Sequence, residues 1–160
     1  MTPLVIGIDP GTKQSAYVEW DGNFITGVGT KPNLEVLRYL RTIDRRACVV
    51  FESVVSYGAP IGHDVLQTVF WTGRLFQVAR DTVGPTQVSR LPRRAVKKHL
   101  QLGPGSGDKD VKAALIRTLE RNPIEWNDLR SHQFAALGIA VTWWNTERER
   151  QPLKGRTKAA

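Results

Sequence analysis

At 160 residues the chain has room for one domain around one core, and 41% apolar with 24% charged residues is a soluble globular composition, which excludes disordered and collagen-like chains. The formal charge of +8 is uneven: residues 1–80 carry 8 basic and 7 acidic side chains, and residues 81–160 carry 15 and 8. An excess confined to one half favours a polyanionic partner, most simply nucleic acid, over an ordinary solvated surface.

Leu4 to Asp9 is a short apolar run ending at Pro10-Gly11, which predicts a buried strand entering a tight turn. No basic stretch and leader-like apolar run precede it, so a cytoplasmic protein is expected. Ser15 to Trp20 alternates, Asp21-Gly22-Asn23 predicts a hairpin turn, and Phe24 to Gly29 the returning strand. Leu34, Leu37, Leu40 and Ile43 recur at three-residue steps and predict a helix over 33–46 with a basic outer face. Ala47 to Glu52 predicts a second buried strand, ending like the first on a carboxylate. It holds the single cysteine, Cys48, which excludes an intrachain disulfide and a multi-cysteine zinc site.

After the loop Tyr57-Gly58-Ala59-Pro60-Ile61-Gly62, the stretch Asp64 to Arg80 predicts a helix with a broad apolar stripe. Gln87 to Ser89 is a weak strand, Pro92 to Leu100 a short basic helix, and Gly103-Pro104-Gly105-Ser106-Gly107 a break. One helix is predicted from Asp108 to about Arg121, ended by Asn122-Pro123, and a last one from near Asp128 to Trp144. Its apolar run, Ala135 to Trp144, is half the length a bilayer span needs, so no membrane contact is expected. Residues 148–160 read as a basic, flexible tail behind a domain of residues 1–147. Three strands and then helix–strand alternation predict an α/β domain with a mixed sheet of about five strands flanked by helices.

Asp9 and Glu52 form the strongest constellation. Sites in open α/β sheets are built at the carboxyl ends of strands, and neighbouring strands lie about 4.8 Å apart, close enough for two carboxylates to share a divalent cation. Taken singly, Asp9 also reads as the start of an Asp-Pro-Gly turn and Glu52 as a strand end.

Gly7-Ile8-Asp9-Pro10-Gly11-Thr12 resembles the opening motif of RuvC-type Holliday junction resolvases, and Phe51-Glu52-Ser53 falls where their second acidic motif lies. The loop Ser56 to Gly62, with Val65 and Trp71-Thr72-Gly73-Arg74, is similar to the phage-encoded branch. Lys98-His99-Leu100 through Asp108-Lys109-Asp110-Val111 resembles the basic region, and Ser131-His132-Gln133-Phe134-Ala135-Ala136-Leu137 the closing helix. The ordered set spans residues 4–144. The resemblance implies an RNase H-like fold, a homodimer, and nicking of paired strands at a four-way DNA junction with Mg2+ or Mn2+. If the gene is phage-borne, the compartment is the host cytoplasm. Two-metal phosphodiester hydrolysis fits the acidic pair, since hard ions need oxygen ligands on rigid elements.

Carried over by position, the closing helix gives a metal ligand at His132 and, where the family has an Asp, Ala135, which cannot bind metal. His132 also reads as a buried helix histidine. Asp128, four residues before His132, is a substitute ligand if it shares the helix face, or else a helix cap. The expected metal set is therefore Asp9, Glu52, His132 and Asp128, with Lys109 added as a catalytic residue because it matches a family lysine near the scissile phosphate. Arg90, Arg93, Arg94, Lys97 and Lys98 form a basic run, and Lys109 and Lys112 follow it; all but Arg90 are expected on DNA phosphates. Tyr57 is expected to stack on an unpaired base, or else to pack in the core. Trp71, Trp143 and Trp144 read as core or dimer interface. Two alternatives to a junction endonuclease remain open: a catalytically silent junction binder, because of Ala135, and an RNase H-fold nuclease acting on RNA.

Overall fold

A computed structural model describes residues 4–119 and 126–147. Five strands, β1 (Val5–Asp9), β2 (Gln14–Trp20), β3 (Ile25–Pro32), β4 (Cys48–Ser53) and β5 (Val88–Pro92), form one sheet in the order β3-β2-β1-β4-β5. The β1–β2 and β2–β3 pairs are antiparallel, and β1–β4 and β4–β5 are parallel. This is the expected mixed α/β sheet.

The sheet separates two apolar layers. Alternation along β1 sends Ile6 and Ile8 to one face and Val5 and Gly7 to the other; β4 does the same with Val49 and Phe51 against Cys48 and Val50. Helices α1 (Asn33–Thr42) and α2 (His63–Val83) cover the Ile6 face. Helices α3 (Arg93–His99), α4 (Asp108–Thr118) and α5 (Ser131–Glu147) cover the Val5 face. No helix among the described residues is long and apolar enough to cross a membrane.

Helix α5 is apolar all round, because it lies between the sheet and the α3–α4 layer; Phe134 through Trp144 are all buried. Trp143 and Trp144 are therefore core, whereas Trp71 is half-buried beneath the Arg74 guanidinium. Gly7 allows the close approach of α5 to the sheet: a Cβ there would stand 2.1 Å from the Ala136 carbonyl oxygen.

Several boundaries move for local reasons. Helix α1 stops at Thr42, because Ile43 is extended and the Asp44 carboxylate accepts the Arg46 N–H in a turn. Helix α2 runs on to Val83 and ends at Gly84, φ 96°, whose N–H returns to the Arg80 carbonyl. The weak strand at 87–89 is a full edge strand pairing with β4 from Val88 to Pro92. The expected end of α4 at Arg121 and the tail 148–160 lie outside the described residues.

Candidate active site

The parallel β1–β4 register, with Ile8 opposite Phe51, carries both strands to their carboxyl ends together. Asp9 follows the parity of Val5 and Gly7, and Glu52 that of Cys48 and Val50, so both carboxylates turn to the face that α5 covers. They share an open cleft of about 300 Å³ with Pro10, Ser53, Tyr57 and Arg93. Their side chains are only 14% and 17% exposed.

The turn after β1 is fixed from below. Buried Ser15 donates to the Asn33 side-chain carbonyl at 2.6 Å and accepts the Gly11 N–H, while the Asn33 amide donates to the Gly11 carbonyl at 2.9 Å. Ser15 and Asn33 are 1% exposed, so these bonds replace water and hold Pro10-Gly11 rigidly beside Asp9.

From above, the first turn of α5 brings His132 Nδ1 to 2.7 Å from Asp9 Oδ2, a hydrogen bond in which the imidazole N–H donates. His132 is 76% exposed, so the buried-histidine reading is excluded. On the other flank, Arg93 opens α3 immediately after β5. Its guanidinium lies 3.7 Å from Glu52 and also bonds the Asp108 carboxylate at the start of α4.

Burial sets the electrostatics. It raises the Asp9 carboxyl above its ordinary range, against the pull of His132 and Arg93. Burial first, and the adjacent Asp9 second, push Glu52 up to about 7, with Arg93 opposing. Two carboxylates that are costly to ionise together fit a hard divalent cation, which would relieve both penalties with oxygen ligands. Asp9 and Glu52, with His132 bonded to Asp9, are the side chains that could hold one, although no three acidic, histidine or cysteine side chains among the described residues converge as a ready-made cage.

Asp128 lies in a short 3₁₀ turn (Trp126–Asp128), and α5 begins only at Ser131, so Asp128 does not share a helix with His132. The helix start is tied by the Gln133 side chain, which accepts the Arg130 N–H at 2.9 Å. Ala135 is buried, one turn beyond His132.

The basic run divides. Arg90 sits over Phe76 on the α2 side of the sheet, and Arg93 is engaged with acids. Lys97 donates to the Pro104 carbonyl at 3.0 Å and Lys112 lies over the Phe134 ring. Arg94, Lys98 and Lys109 are exposed and outside any ion pair among the described residues. Tyr57, 70% exposed on the cleft rim, is not core. Sequence reasoning missed Asp108 as a neighbour of the acidic pair and the Ser15–Asn33 support beneath Asp9.

This architecture is the RNase H-like fold in its RuvC form. The RuvC structure of Thermus thermophilus superposes with a TM-score of 0.68 at 20% identity over 92% of this chain and 96% of that one. T. thermophilus RuvC in complex with a Holliday junction substrate gives 0.66 at 18% over 87% and 91%. The yeast mitochondrial Holliday junction resolvase gives 0.63 at 12% over 89% and 79%. No protein-family model and no curated protein matches the sequence.

Proposed function

We propose that this protein is a structure-selective endonuclease, of the phage-encoded branch its loop resembles, that nicks symmetric strands of four-way and other branched DNA junctions with Mg2+ or Mn2+. The observation that carries the reading is the placement of Asp9 and Glu52 side by side at the ends of parallel strands, under His132, in a fold shared with two junction resolvases. A bound divalent ion supplies an activated water and stabilisation of the leaving oxygen. Asp9 and Glu52 would hold it, with the turn beside Asp9 fixed by the Ser15 and Asn33 side chains. His132 orients the Asp9 carboxylate. Arg94, Lys98 and Lys109 bind phosphates along the flank, and Tyr57 meets an unpaired base at the rim.

A homodimer belongs to the same reading. Val65, Leu66, Val69 and Phe70 are exposed along one side of α2, while Leu75 is core and Trp71, Phe76 and Val78 are half-buried. A two-fold interface there covers the exposed stripe and presents two clefts to paired strands.

A labelled immobile four-way junction and a linear duplex, each incubated with protein in Mg2+, Mn2+ or EDTA, test the reading. Metal-dependent nicking of the junction alone is expected, and Asp9→Asn abolishes it while leaving junction binding intact or tighter. Binding without nicking in any metal selects the silent junction binder that Ala135 suggests. Cleavage of RNA in preference to the junction overturns the reading.

A further inference from the structure

The cleft holds a cation of its own. Arg93 lines it, 32% exposed, with one end of its guanidinium 3.7 Å from Glu52 and the other on Asp108. Among the described residues Glu52 has no other ion-pair partner, and Asp9 has only His132. A planar guanidinium is suited to this bridge, because it presents donors to two acceptors at once and cannot lose its charge. Asp108 follows the glycine-rich stretch 103–107 and lies at the first residue of α4, with 72% of its side chain exposed. The bridge therefore joins an anchor buried in the sheet to a second anchor at the surface.

A positive charge 3.7 Å from Glu52 weakens the hold of a dication on the same carboxylate, since the two cations share one acceptor and repel each other. We propose that Arg93 is a resident counter-ion of the acidic pair: it neutralises Glu52 when no metal is bound, competes with the incoming divalent cation, and is displaced onto Asp108 when the cation arrives. The second anchor makes the exchange inexpensive, because the guanidinium keeps one charged hydrogen bond throughout. Metal loading is thereby coupled to the start of α4, which carries Lys109. The inference rests on the reading of the cleft as a divalent-cation site.

Mn2+ binding to the full chain without DNA, measured by isothermal titration calorimetry, tests it, with melting in EDTA as a second readout. Arg93→Gln removes the competitor and should tighten Mn2+ binding on the order of tenfold, while lowering the melting temperature in EDTA because Glu52 loses its counter-ion. Arg93→Lys keeps the charge and should bind Mn2+ within about threefold of the parent. Unchanged or weaker Mn2+ binding by Arg93→Gln, beside measurable binding by the parent, overturns the proposal and leaves the metal site standing. Equal tightening in Arg93→Lys also overturns it, since charge would not be the cause. Absence of Mn2+ binding in all three proteins removes the metal site and this inference together.

Discussion

The acidic pair makes stability depend on pH in a direction opposite to that of most carboxylates. Glu52 is pushed from 4.5 up to about 7 by burial and by Asp9. Below pH 4.5 it is protonated in folded and unfolded chains alike, and its burial costs nothing. Between 4.5 and 7 the unfolded chain releases the proton and the folded chain retains it, so stability falls as pH rises; above 7 the loss is complete. The full shift corresponds to a ceiling of roughly 3 kcal/mol, and for a chain of this size to a melting-point drop of up to ~10 °C. Melting curves in EDTA from pH 5 to 8.5 should therefore decline for the parent protein and decline less for Glu52→Gln, in which only the raised Asp9 carboxyl remains and which is the more stable of the two at pH 8. Added Mn2+ should restore the parent at pH 8 and leave Glu52→Gln unmoved. A parent curve that is flat in EDTA and parallel to that of Glu52→Gln would refute the electrostatic account of the cleft.

Arg94→Ala and Lys98→Ala should each reduce the slope of log affinity against log salt for junction binding by about 0.9, the value expected for one phosphate contact; an unchanged slope places that flank away from DNA. Ala135→Asp introduces a carboxylate at a buried position and should cost about 1–3 kcal/mol or more in EDTA. Recovery of that loss in Mg2+, with faster nicking, puts position 135 in the metal site, whereas an unrecovered loss puts it in the core. Light scattering at micromolar concentration should report a dimer that Val69→Glu or Phe70→Glu splits, because both side chains lie in the exposed stripe of α2; a monomeric parent excludes that interface.

The fold was legible where burial is two-sided or strictly periodic. Leu4 to Asp9 and Ala47 to Glu52 read as buried strands because both of their faces are covered, so apolar residues run unbroken until the carboxylate. Strand β5 was faint because it is an edge strand, with Arg90 and Pro92 inside a five-residue element that is only partly buried. In α1 the three-residue steps were real but their phase was off. Leu34 is 54% exposed and Val36 is fully buried, because the helix turns Asn33, Val36, Leu37 and Leu40 inward. Asp128 reads as a helix start by residue type, yet the chain spends that stretch in a 3₁₀ turn, and the start of α5 is marked by Gln133 reaching back to Arg130.

The site divides along the same line between local and long-range information. Asp9 and Glu52 could be named because each closes the apolar run of its own strand, whereas the position of Arg93 could not. In sequence Arg93 is one of five cations in nine residues, and only the β4–β5 pairing, with Ser53 opposite Pro92, delivers the next residue to Glu52. His132 shows the same dependence from the other side. Its contact with Asp9 requires α5 to lie almost on the sheet, and that approach exists because position 7 has no side chain to hold the helix away. Gly7 is thus as necessary to the cleft as the residues that line it. It is two positions from Asp9 on the same face of β1, so the strand that presents the carboxylate also sets the height of the helix that covers it.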